Sequence, residues 1–134
     1  MIAGLALGGA TPVSQLRIEV EQLRNARGTL RLCLTADPDN FPTCVDDARA
    51  ISRNVPAGQH RVTYEGLPRG TYALAVIHDE NSNQKLDTFA GIPREGFGFS
   101  RNPRIGFGPP RFTAARFALD AAQGAESVRM RYML

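Results

Sequence analysis

T-Y-A-L-A-V-I-H-D, residues 71–79, is apolar at every position from Tyr72 to Ile77, so both faces of the segment carry apolar side chains. A short run that is apolar on both faces is what a central strand, covered from two sides, requires. The period around it is two. QLRIEVEQL (15–23) sets Leu16, Ile18 and Val20 against Arg17, Glu19 and Glu21. TLRLCLTA (29–36) repeats the pattern with Leu30, Leu32 and Leu34, and HRVTYEG (60–66) with Val62 and Tyr64. TAARFAL (113–119) and SVRMRYML (127–134) alternate as well, the last through Val128, Met130 and Tyr132. Alternation punctuated by Gly, Pro and Asn predicts an all-β, antiparallel sandwich of about seven strands. DDARAISRNV (46–55) fits a helical turn or a further strand equally well.

The chain has 134 residues, 43% hydrophobic and 22% charged, a globular composition. Residues 14–134 are expected to form a single β-sandwich domain. Residues 1–13, MIAGLALGGATPV, are expected to be a remnant signal peptide or a disordered N-terminus, lacking the basic start of a complete signal. Their apolar part is far short of the roughly 20 residues that span a bilayer, and no membrane span is expected. Fifteen of the basic residues are arginine and one, Lys85, is lysine. Arginine suits phosphate and carboxylate, although biased codon usage yields the same composition. A net charge of +3 spread along the chain is too small for a nucleic-acid footprint.

Cys33 and Cys44 flank the turn-rich TADPDNFPT. An even count around a short loop predicts a disulfide, and with the N-terminus it predicts a periplasmic or secreted protein. Between the central strand and TAARFAL runs ENSNQKLDTFAGIPREGFGFSRNPRIGFGPPRF, too long for an ordinary connection. It is expected to be one long ordered loop whose phenylalanines either cover the core or form a recognition surface. In the second case Arg94, Phe97, Phe99, Arg101, Arg104 and Phe107, with Arg111, would contact an unknown protein or an anionic or glycan ligand.

GLPRGTYALAVIHDENSNQKLD resembles the Leu-Pro-x-Gly-x-Tyr turn and following strand of Ig/prealbumin-like sandwich modules. Its continuation LDTFAGIPREGFGFSRNPRIGFGPPRFTAARFAL is similar to the uncharacterised bacterial domain of unknown function 2141. The resemblance covers roughly residues 15–134 and implies an extracytoplasmic prealbumin-like sandwich without naming an activity. The family usually has glycines where this chain has Ser82 and Gln84.

HDENSNQKLD (78–87) spaces Asp79, Asn81 and Asn83 as the first three ligands of a Ca²⁺ loop, with the Lys85 carbonyl and Asp87 following. Gln84 stands in the glycine position, and Ala90 where a bidentate Glu belongs, leaving Glu80 or Glu95 to complete a shell. Such a site would be weak, about 10⁻⁴ to 10⁻³ M. The competing expectation is that the same side chains form Asx turns without metal. His78, Asp79 and Ser100 invite a hydrolase reading, a periplasmic enzyme acting on a small molecule or glycan. Neighbouring strand residues point to opposite faces, however, and no nucleophile-elbow motif is present. His60 and His78 have no metal-ligand spacing. A non-catalytic binding or structural module of the cell envelope, with Ca²⁺ as its only candidate cofactor, is the expectation.

Overall fold

The computed structural model describes residues 12–44, 50–83, 88–89, 92–106 and 108–134. Its strands are β1 (Val13–Glu21), β2 (Thr29–Thr35), β3 (Ile51–Pro56), β4 (Arg61–Pro68), β5 (Gly70–Asp79), β6 (Thr88–Phe89), β7 (Ile92–Pro93), β8 (Gly96–Phe99), β9 (Phe117–Leu119) and β10 (Gln123–Arg129). A 3₁₀ turn lies at Pro38–Asn40 and a one-turn helix, α1, at Phe112–Ala115. The larger sheet runs β9-β5-β2-β3, with β8 also on β5; the smaller runs β10-β1-β4; β6 and β7 pair with each other. The predicted sandwich is present and β5 is its central strand. Of the N-terminal stretch 1–13, residues 1–11 lie outside the described residues, and Val13 already pairs with Pro68.

The two inner faces meet in one apolar core. Leu30, Leu32, Leu34, Leu74 and Val76 from the larger sheet pack with Leu16, Ile18, Val20, Val62, Tyr64 and Val128 from the smaller. Each such side chain contributes about 1.5–3 kcal/mol on burial. The corner where the chain crosses from β4 to β5 is fixed by Tyr72, whose hydroxyl donates to the Pro68 carbonyl at 2.5 Å.

Three expectations are corrected. TAARFAL is not one strand: Phe112 and Ala115, three apart, are the buried residues of α1, and only Phe117–Leu119 extends. The last strand lies at Gln123–Arg129 rather than 127–134, and it pairs in parallel with β1. The chain reaches β1 by crossing from the other sheet, so no hairpin forces the two strands to run antiparallel. The long segment after β5 is not simply a loop, because Gly96–Phe99 forms β8 against Ala75–His78. Of DDARAISRNV, residues 51–55 belong to β3, and 45–49 lie outside the described residues.

β8 explains the glycines of G-F-G-F. Gly96 and Gly98 sit on the inner face, where a Cβ would lie 2.6 Å from Val128 Cγ1 at Gly98, and at Gly96 would run into the Tyr132 ring. With hydrogen there, the C-terminal segment presses directly on the strand. Phe97 and Phe99 take the outer face.

The two flanks of the sandwich close by different means. On one, Phe97 and Arg131 exchange main-chain hydrogen bonds of 2.8 and 3.0 Å. Beside them the Asn102 side chain accepts from Arg129 N at 2.8 Å and donates to Ser127 O at 3.0 Å, standing in for a strand. On the other flank, Arg53 lies opposite Leu32, in an inward-facing row of edge strand β3. Its stem covers the core margin, its guanidinium sits 4.9 Å from the Tyr64 ring centroid, and Nη1 donates to Thr63 O on edge strand β4 at 2.7 Å.

Outside the larger sheet lies a second cluster of Cys33, Ala73, Ala75, Phe99, Phe112 and Ala115, joined by Phe41, Cys44, Phe97 and Ile105. The predicted pair is bonded, Cys33 to Cys44, with Cα atoms 5.7 Å apart. It holds the Asp37–Cys44 loop over the sheet, where Phe41 meets Phe99 and Phe112 edge to face at 5.9 and 6.2 Å.

Candidate functional site

The end of β5 carries the residues singled out in H-D-E-N-S-N. His78 and Asp79 are both fully buried. They occupy opposite faces, since His78 aligns with Leu30 in the core row and Asp79 with Thr29 in the next. Asp79 Oδ1 and Asn81 Oδ1 each accept from Asn83 N at 3.2 Å, and Ser82 N donates to Asp79 O at 3.1 Å. These are Asx turns, with Ser82 at φ 54°. Lys85 and Asp87 lie outside the described residues. Of the two carboxylates proposed to complete a shell, Glu95 is buried and accepts from Glu80 N at 3.1 Å. The Glu80 carboxylate turns away from the loop toward Arg24, Asn25 and Arg27.

That turn leads into a network joining segments far apart in the chain. Arg24 Nε and Nη2 both reach Glu80 Oε2, at 2.9 and 2.6 Å, and Asn25 Nδ2 donates to Oε1 at 3.0 Å. Arg24 Nη1 donates to Leu134 O at 2.6 Å, and the guanidinium lies 4.4 Å from the Tyr132 ring centroid. Burial pushes the Glu80 carboxyl up, but the Arg24 and Asn25 hydrogen bonds and the Arg24 charge outweigh it and hold the group below its usual range. Tyr132 is pushed up by burial, against the pull of the Arg24 main-chain amide, with the Glu80 charge adding to the rise.

His78 is tied at both ring nitrogens. Nε2 is 2.7 Å from Arg27 O, an atom that only accepts, so Nε2 carries the proton. Nδ1 then accepts from the Tyr132 hydroxyl at 2.8 Å, and that hydroxyl accepts from Arg24 N at 3.2 Å. Ser100 is likewise committed: its buried Oγ accepts from Leu74 N at 2.9 Å and donates to Ala115 O at 2.5 Å. Leu74 lies four residues from His78 along β5, about 13 Å at roughly 3.3 Å per residue. His78, Asp79 and Ser100 are therefore not brought together as a triad. His60 pairs with Glu19 at 2.7 Å on the smaller sheet, far from His78 in the chain.

The arginine and phenylalanine residues divide. Phe99 is buried under Phe41 and is part of the second cluster rather than of a surface. Phe97 is half-buried, Arg94, Arg101, Arg104 and Arg111 are exposed, and Phe107 lies outside the described residues. Asn102, Pro103 and Ile105 meet Phe97, Arg129 and Arg131 in a shallow depression of about 10 Å³, room for one water. Small-molecule sites run to hundreds of Å³.

The register adds residues that alternation alone did not single out. Arg31 aligns with Ile77, Ile77 with Phe97, and Phe97 with Arg131, one row across the outer face of the larger sheet. All four are half-buried, in the part of that face which the disulfide loop and α1 leave open. Arg31, Arg104, Arg129 and Arg131 form no ion pair with a described residue, in contrast to Arg24, Arg27 and Arg61.

Fold and site together define an all-β sandwich module with an open, arginine-flanked apolar strip on one face. The family model described as an uncharacterized protein conserved in bacteria, DUF2141, matches residues 18–127, and the chain belongs to that family. No curated protein and no solved structure matches it.

Proposed function

We propose that this chain is a non-catalytic module of the periplasm or the cell exterior that binds an anionic partner through the open part of the larger sheet's outer face. The observation that carries this reading is the contrast between two sets of side chains. His78 and Ser100, the residues with chemical potential, have their polar atoms engaged by Arg27, Tyr132, Leu74 and Ala115. Arg31, Arg104, Arg129 and Arg131 have no acidic partner among the described residues, and Arg31 and Arg131 bracket apolar Ile77 and Phe97. Arginine beside aromatic surface is a recurrent anchor composition at interfaces. A disulfide across Cys33 and Cys44 suits an oxidising compartment.

The test is titration with two soluble anions, poly-glutamate and a sulfated oligosaccharide, at low and moderate salt. Arg31→Gln together with Arg131→Gln should weaken binding and leave the melting temperature unchanged. Failure of both anions to bind at low salt refutes the proposal. Turnover of a glycan or small ester that His78→Ala abolishes in a folded variant would replace it with the enzymatic reading.

A further inference from the structure

Resting on that reading, we infer that the partner is an extended acidic protein segment with carboxylates four residues apart and an apolar side chain midway between them. The row Arg31–Ile77–Phe97–Arg131 crosses three strand-to-strand steps. At about 4.8 Å per step, its two arginines stand about 14 Å apart at the backbone. An extended chain advances about 3.4 Å per residue and shows alternate side chains to one face. Residues i, i+2 and i+4 of such a chain therefore span the same distance with their side chains facing the strip. Carboxylates at i and i+4 meet Arg31 and Arg131, whose guanidinium forks bind carboxylate by paired donors. The side chain at i+2 rests on Ile77 and Phe97.

The rest of the surface supports a polypeptide rather than a pocket ligand. The neighbouring depression holds only about 10 Å³, too small to enclose a sugar ring or a metabolite. Ile105 and Pro103 continue the apolar surface beyond Phe97, and Arg129, which has no acidic partner among the described residues, borders it, giving a longer acidic segment a further contact.

The probe is an end-blocked peptide, Glu-Thr-Phe-Thr-Glu, followed by amide chemical shifts of the ¹⁵N-labelled protein, with Gln-Thr-Phe-Thr-Gln as control. Shifts should concentrate at Arg31, Ile77, Phe97 and Arg131. Exposed charge pairs are individually weak, so each Arg→Gln change should weaken binding about threefold and the pair about tenfold. Equal binding of the glutamine peptide overturns the inference, as do shifts confined to another face. Binding of the sulfated oligosaccharide without the peptide overturns it while leaving the anion-binding proposal standing. Failure of every anion removes both.

Discussion

Tyr132→Phe removes a single oxygen, and the cost of losing it follows from what that oxygen touches. The hydroxyl donates to His78 Nδ1 at 2.8 Å and accepts from Arg24 N at 3.2 Å. Arg24 N lies at an exposed contact and takes water when the hydroxyl is gone. His78 is fully buried, and its Nε2 proton is already committed to Arg27 O, so Nδ1 is left as a buried acceptor without a donor. Stranding a buried neutral polar atom costs about 1–3 kcal/mol. The ring remains over Gly96, and no cavity opens. We expect a loss of about 2 kcal/mol, a drop in melting temperature of roughly 6–8 °C in a chain of this length. Urea unfolding of the wild type, Tyr132→Phe, His78→Leu and the double variant measures the coupling. In the His78→Leu background the stranded nitrogen no longer exists, so Tyr132→Phe should cost about 0.5 kcal/mol or less. A single-variant loss below about 0.5 kcal/mol, or costs that simply add, would refute the assigned tautomer and the donor role of Tyr132.

Three other outcomes are expected. Several millimolar CaCl₂ at a Kd near 10⁻⁴ M would stabilise by about 2 kcal/mol; with the Glu80 carboxylate held by Arg24 and Asn25 rather than facing the loop, a melt should show no Ca²⁺-specific shift beyond the Mg²⁺ control. A Ca²⁺-specific rise that Asp79→Ala removes would establish a cation site at residues 79–87 instead. Replacing both Cys33 and Cys44 by alanine should cost about 3 kcal/mol on the chain-entropy model, and hydrogen exchange should quicken over the Asp37–Cys44 loop and α1 before it does in β1 or β4. Because the folded Glu80 carboxyl is held below its ordinary value, its contribution is present above the unfolded value of 4.5 and fades as pH falls below it. Glu80→Gln should therefore flatten the acid limb of the stability–pH curve as pH falls below 4.5, measured by urea midpoints.

β1, β2, β4 and β5 were legible because each buries one or both faces, and burial imposes period two on the side chains. β10 was not. Its first half places Gly124 and Glu126 at the positions that would face inward, so the apolar signal begins only at Val128. Gly124 is small there because Leu119 lies against it. β8 was hidden for a related reason: Gly96 and Gly98 look like loop residues, yet their lack of a side chain is what admits Tyr132 and Val128. In the candidate site, the Asx spacing of Asp79, Asn81 and Asn83 was visible because it is local. Arg24, Glu80 and Tyr132 meet across 56 and 108 positions, and no short-range pattern encodes such a meeting. The row from Arg31 to Arg131 depends on the register of three strand pairings, which turns and hydrophobic pattern fix only once the fold has formed.

Arg53 gives the molecule a mechanical asymmetry. On one flank the sheets are bound by the main chain, through Phe97 and Arg131, and this side acts as a spine. On the other, the Arg53 side chain of β3 reaches across the core margin to Thr63 O on β4. Side-chain contacts release at lower cost than a run of ladder bonds, so this margin is expected to loosen before the opposite side. β3 and β4 are also the outer strands of their sheets, and unpaired strand edges are templates for another chain. Arg53→Ala should therefore leave the Phe97–Arg131 bonds intact and raise self-association of the protein, measured by light scattering as temperature rises.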